Sequence, residues 1–155
     1  MLFAMTSRAK IIFTLIAICA AAGIALSSLS LDHHYGSSKT SYCDLGENFN
    51  CDIVNRSTYS TVFGIPDALI GIVGYAGLLA LATLYRARTQ TPIFLMIASF
   101  AGLSFALYLT YIEAFVLATW CILCLSSLAM IFVIAALSSF LVATSKTSRL
   151  KSERI

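Results

Sequence analysis

Four of the five cysteines fall in two close pairs, and paired thiols are the side chains here best suited to chemistry. Cys43 and Cys51 sit in a stretch rich in Ser, Thr, Asn, Asp and Gly, which bends freely enough to bring two sulfurs together. In an oxidising compartment such a pair is oxidised, and alone it reads as a loop staple. Cys121-Ile-Leu-Cys124 reads differently. Residues i and i+3 share one helix face with Cβ atoms about 5–6 Å apart, whereas a disulfide wants about 3.5–4.5 Å. The bond therefore closes only with local tightening, which is easiest in the first turn of a helix. That position also offers the positive end of the helix dipole, which stabilises a thiolate. A thiolate on one pair can attack the disulfide of the other, so two pairs on one side of a membrane form a relay.

Metal binding is the competing use of such residues. An all-cysteine zinc site usually combines two short-spaced knuckles, and Cys43/Cys51 has seven intervening residues. His33 and His34 could be recruited as ligands but read as interfacial polar residues, and no metal is expected. Leu125, not His, follows the Cys-x-x-Cys, which excludes c-type haem attachment. Cys19 stands alone in an apolar run and reads as a small hydrophobe.

The elements that position these cysteines are apolar. The chain is 59% hydrophobic and 11% charged, against about 45–50% and about 25% in soluble domains. Charge-free runs cover 11–31, 68–85, 93–112 and 114–144, and a bilayer core needs about 20 apolar residues per helix. The expectation is an all-α membrane protein, one domain over 1–155. It is a four-transmembrane-helix bundle with helices at about 10–31, 66–85, 92–112 and 120–142. A large extracytoplasmic loop, 32–65, lies between the first two helices, and a basic tail covers 143–155. Pro66 and Pro92 open two helices where a missing N–H costs nothing. Thr119 is the expected N-cap of the last. Tyr108, Tyr111 and Trp120 suit the membrane interface.

Charge sets the orientation. Arg8, Lys10, Arg86, Arg88, Lys146, Arg149, Lys151 and Arg154 fall in segments on one side. Asp32, Asp44, Glu47, Asp52, Asp67 and Glu113 fall in segments on the other, where Lys39 and Arg56 are the two remaining bases, and Glu153 is the one acid on the basic side. Basic residues stay inside, so both termini are expected in the cytoplasm and 32–65 and 113–119 outside, in a multi-pass protein of the cell inner (plasma) membrane. The first run is longer than the 7–15-residue core of a signal peptide and is read as a retained span. The basic residues form no patch for nucleic acid.

These residues resemble the vitamin K epoxide reductase family in its bacterial or archaeal form, over about 10–142. The resemblance rests on the helix order, the Cys43/Cys51 gap, Ser57, the Phe63-Gly64-Ile65-Pro66 lead-in to the second helix, and Cys121-Ile-Leu-Cys124 opening the fourth. The disulfide-bond protein B family is also four-helical and quinone-linked, but its Cys-x-x-Cys precedes its spaced pair, the reverse of the order here.

The resemblance implies a membrane thiol–disulfide oxidoreductase, a quinone-dependent enzyme supporting extracytoplasmic disulfide formation. Cys43 would exchange with a thioredoxin-fold partner, Cys51 would pass electrons to Cys121, and Cys124 would face the quinone. That quinone would be ubiquinone, menaquinone or a vitamin K-type quinone. Ser57 matches the family's loop serine, with a turn or cap residue as the plainer reading. Asp67 stands near the position of the vertebrate pocket asparagine. Residues 55–63 are expected as a short surface helix. Many bacterial relatives carry a fused thioredoxin domain after the last helix; here the chain ends at Ile155 in the basic tail, so a separate partner is expected. Vertebrate members carry aromatic residues where this chain has Asn55 and Leu128, which disfavours vitamin K epoxide as substrate. The alternatives are a vitamin K quinone or epoxide reductase, or a non-enzymatic membrane scaffold with structural disulfides.

Overall fold

A computed structural model of the chain describes residues 7–36, 49–86, 88 and 90–152, with side chains as far as Ser145. Helix α1 spans Ser7–Tyr35. Its buried positions Ala9, Phe13, Ile16, Ala20, Gly23, Ser27 and Ser30 recur at alternating steps of four and three. That spacing draws one stripe along the helix, with large residues at one end and small ones at the other. Helix α2 (Cys51–Asn55) follows, then a 3-10 turn at Thr58–Ser60. Strands β1 (Thr61–Val62) and β2 (Ile65–Pro66) pair antiparallel, Thr61 opposite Pro66. The two residues between them, Phe63 and Gly64, both have positive φ, as a type I′ hairpin turn requires.

The remaining helices are α3 (Asp67–Thr83), α4 (Thr91–Ile112) and α5 (Ile122–Ser152). Phe13 and Ile16 of α1, Leu78 of α3, Leu95 of α4, and Ile134 and Leu141 of α5 meet in the main core. Small polar residues let helices approach: Ser99 Oγ and Ser138 Oγ lie 3.0 Å apart between α4 and α5, both fully buried. Outside the core the surface is apolar, with Ile18, Val73, Phe100 and Phe132 all exposed, which suits lipid rather than water.

Among the described residues, three helices are long and apolar enough to cross a membrane: Ser7–Tyr35, Thr91–Leu117 and Ile122–Ser145. The helix expected at 66–85 forms as α3, but with 17 residues it is shorter than those. At 1.5 Å per residue it extends about 26 Å, against a hydrocarbon core of about 30 Å.

Several expected boundaries shift. Helix α1 runs on to Tyr35, because nothing between Leu31 and Tyr35 breaks a helix and the turn carrying His33 packs against α2. Helix α5 continues to Ser152, so residues 143–152 are helix rather than a separate tail. No Pro or Gly interrupts that segment, and Lys and Arg are good helix formers. Charge ends the apolar run there but does not end the helix. The short helix expected over 55–63 lies earlier, at Cys51–Asn55, where the Asn50 side chain accepts the Ile53 N–H at 3.1 Å and caps it.

Candidate active site

After Ile112 the chain of α4 widens into a π-helical turn, Glu113–Leu117. Ala118 then adopts the left-handed conformation, with φ 48°, and the Thr119 N–H bonds back to the Glu113 carbonyl at 3.2 Å. This reversal replaces a long loop. It sets Cys121 immediately before α5, where the Cys121 carbonyl accepts the Leu125 N–H at 3.0 Å.

Cys121 therefore caps α5, and the Cys124 N–H donates to the Cys121 sulfur at 3.4 Å. Thr119, the expected cap, instead donates its hydroxyl to the Leu117 carbonyl at 3.2 Å. The left-handed turn ahead of it moves the helix start on to Ile122, out of its reach. The Cys124 thiol, most strongly, and the Cys124 N–H hold the Cys121 thiol below its ordinary pKa. A sulfur at a helix N-terminus in this setting favours its thiolate form more than a free thiol does.

The segment that carries Cys51 is pinned to the same place. Phe49 pairs with Trp120 as a parallel bridge, and the Asn50 N–H donates to the Trp120 carbonyl at 3.1 Å. Cys51 and Cys121 are then the buried centre of one cluster with Val54 and Leu123, against which Cys124 packs. Cys51 is disulfide-bonded, whereas Cys121 and Cys124 are thiols. Cys43 lies outside the described residues. Cys19, the third free thiol, packs against the main core.

Asn55, the last residue of α2, ties these parts together. Its side-chain NH2 donates to the Cys51 carbonyl at 2.9 Å and to the Cys121 sulfur at 3.7 Å. Its oxygen accepts the Ser30 hydroxyl of α1 at 2.6 Å. The sequence shows Asn55 only as a departure from an aromatic position. Its role arises from contacts 25 and 66 residues away. His33 is buried rather than interfacial: its Nδ1 meets Asp52 Oδ1 at 2.8 Å, while Arg56 Nε donates to the His33 carbonyl at 3.2 Å. The end of α1 thus grips α2 from behind.

Ser57 sits two residues beyond the end of α2. Its hydroxyl donates to the Val54 carbonyl at 2.8 Å, and its own carbonyl accepts the Ser60 hydroxyl at 2.8 Å, so it shapes the turn. Asp67 opens α3, with Oδ1 accepting the Ala68 N–H at 2.7 Å. It lines a cavity of about 340 Å³ between α1, α3, α4 and α5, which Cys124 also lines.

The remaining walls of the cavity include Leu26, Phe105, Leu109 and Ile131, with Tyr75 and Ser127 among the polar exceptions. Tyr75 is held by donating its hydroxyl to the Ser127 carbonyl at 2.7 Å. Apolar walls with few convergent polar groups, one of them a thiol, suit an apolar ligand.

Glu113, which the sequence shows only as one of the outer acids, completes the site. It is 1% exposed, and its Oε2 accepts the Cys121 N–H at 3.1 Å. The available signal was its isolation as a lone charge between the charge-free runs 93–112 and 114–144. The model of the Vitamin K epoxide reductase family matches residues 12–139. That span contains α2, the π turn and both described cysteine sites, and the chain belongs to this family of membrane oxidoreductases.

Proposed function

We propose that the chain is a quinone-dependent thiol oxidase of the inner (plasma) membrane that supports extracytoplasmic disulfide formation. The observation that carries this is the shared buried cluster of Cys51 and Cys121, with Cys124 beside them on an apolar cavity. In this reading α1, α3, α4 and α5 are four spans of a single domain, with both termini cytoplasmic and the Cys43/Cys51 segment outside. Segregated charge supports that orientation. The short α3 is accommodated by local thinning or by its hairpin lead-in.

Electrons enter from a separate thioredoxin-fold thiol protein at Cys43. Cys51, freed as a thiolate, attacks Cys121, and Cys124 is released toward the cavity. An oxidised Cys51 beside free Cys121 and Cys124 corresponds to the state after that transfer. A quinone held in the cavity supplies the two-electron oxidant for the inner pair. Asp67 and Tyr75 orient what enters the cavity, the apolar walls exclude water, and Ser57 holds the turn that follows α2.

Purified protein mixed with quinone and a reduced thioredoxin-fold protein should consume the quinone. A Cys43→Ala variant should lose this turnover yet respond to dithiothreitol. Turnover retained in Cys124→Ala sinks the assignment of the quinone step to that thiol. A scaffold with structural disulfides predicts instead that no Cys51–Cys121 bond can be trapped in any variant.

A further inference from the structure

Glu113 has chemistry to offer that its bond to the Cys121 N–H leaves unused. Among the described residues its Oε1 has no hydrogen-bond partner, although the side chain is 1% exposed. One carboxyl oxygen, the Cys121 sulfur and the Cys124 sulfur all lie within 4.8 Å of one another. The titratable groups around it are the Cys121 and Cys124 thiols at the start of α5 and Asp67 at the start of α3, and the Cys121 backbone N–H bonds to it as well. The π turn and the left-handed Ala118 are what aim it there, since a regular continuation of α4 would carry the chain past the site.

An inner disulfide that opens beneath a sealed surface needs a proton where water is scarce. Cys121 as a thiolate is held by the helix N-terminus and the Cys124 N–H. Cys124 lies inside the first turn, on an apolar cavity. We propose that Glu113 is the proton relay of the Cys121–Cys124 pair, giving its proton to Cys124 when the disulfide opens and recovering it when the disulfide closes.

This rests on the relay reading above, and the step balances within it. Cys51 thiolate attacks the Cys121 sulfur, so the Cys51–Cys121 bond forms and the Cys121–Cys124 bond breaks. The electron pair of the broken bond leaves on Cys124 Sγ, which takes the Glu113 proton. Cys43 thiolate then attacks Cys51, closing the loop disulfide and releasing Cys121 as thiolate. Two electrons have moved inward, and both protons of the loop thiols have gone to solvent. When a quinone takes two electrons from the inner pair, and two protons from solvent to become a quinol, the Cys121–Cys124 bond re-forms and the Cys124 proton returns to Glu113.

The test needs no quinone. Oxidised full-length protein in detergent is mixed with dithiothreitol, quenched in acid, alkylated, and the Cys124 thiol counted by mass spectrometry. Glu113→Gln keeps an oxygen for the Cys121 N–H but cannot give up a proton as a carboxyl does. It should slow appearance of the Cys124 thiol at least about 100-fold, the low end of general acid–base effects. With rates divided by the dithiothreitol thiolate concentration, wild type should lose rate as rising pH strips the Glu113 proton, and Glu113→Gln should not. Wild-type exchange matched by Glu113→Gln in rate and pH profile overturns the role of Glu113 alone. A wild type that never forms the Cys51–Cys121 bond overturns the relay and, with it, this step. Should Glu113→Gln not fold, redox-difference infrared spectra of the wild type decide. A carboxyl C=O band must change between the disulfide and dithiol states, and its absence overturns the proposal.

Discussion

The Asn55 amide donates to the Cys121 sulfur across 3.7 Å, linking the end of the short loop helix to the residue that caps α5. A hydrogen bond to the charged form of a thiol favours that form. Asn55→Ala should therefore raise the Cys121 titration midpoint, read from the ultraviolet thiolate absorbance of reduced protein. The sign follows from a thiol already lowered by its Cys124 neighbours: its thiolate is present above that lowered midpoint and is lost as pH falls through it. Reactivity of Cys121 should therefore persist to lower pH in wild type than in Asn55→Ala. An unchanged midpoint shows that Asn55 acts only through the Cys51 carbonyl and Ser30.

Asp52 meets buried His33 at 2.8 Å, and this pair joins α1 to α2. Asp52→Ala should lower stability by about 1–3 kcal/mol, the cost of removing one partner of a buried polar contact. Thermal unfolding in detergent measures that loss. Slower exchange between Cys51 and Cys121 should accompany it, because α2 is then held to α1 chiefly through Asn55 and Arg56.

Gly23 lies where α1 passes the ring of Tyr75, and a Cβ there would overlap that ring. The ring cannot swing away without breaking the Tyr75 hydroxyl bond to Ser127 beside the cavity. Gly23→Ala should cost about 1–3 kcal/mol as an overpacked core position. Tyr75→Phe, which removes only the hydroxyl, should weaken protection against thermal unfolding by added quinone while disturbing the fold less. Equal protection of Tyr75→Phe and wild type would remove Tyr75 from the cavity's polar set.

Ala118 holds a left-handed backbone at φ 48°, a conformation that costs an L residue about 1–2 kcal/mol and glycine almost nothing. Ala118→Gly should raise stability by about 1 kcal/mol with quinone turnover intact. Ala118→Val should lower both, because a branched side chain there displaces the turn that aims Glu113 at the Cys121 N–H.

By itself the sequence determined the apolar runs, the segregation of charge and the two cysteine pairs, because each is a property of residue type and spacing along the chain. Family membership was legible for the same reason. Helix ends were less so, since hydropathy reports where lipid contact stops and not where hydrogen bonding stops; α5 runs past its apolar run for that reason. Only the tertiary structure decided the chemistry around the sulfurs. Asn55 reaches Cys121 across 66 positions, and Glu113 reaches the Cys121 N–H only through a widened turn and one left-handed residue. No periodicity encodes such contacts, because they follow from where separate elements are packed, and the Phe49–Trp120 bridge packs these against each other.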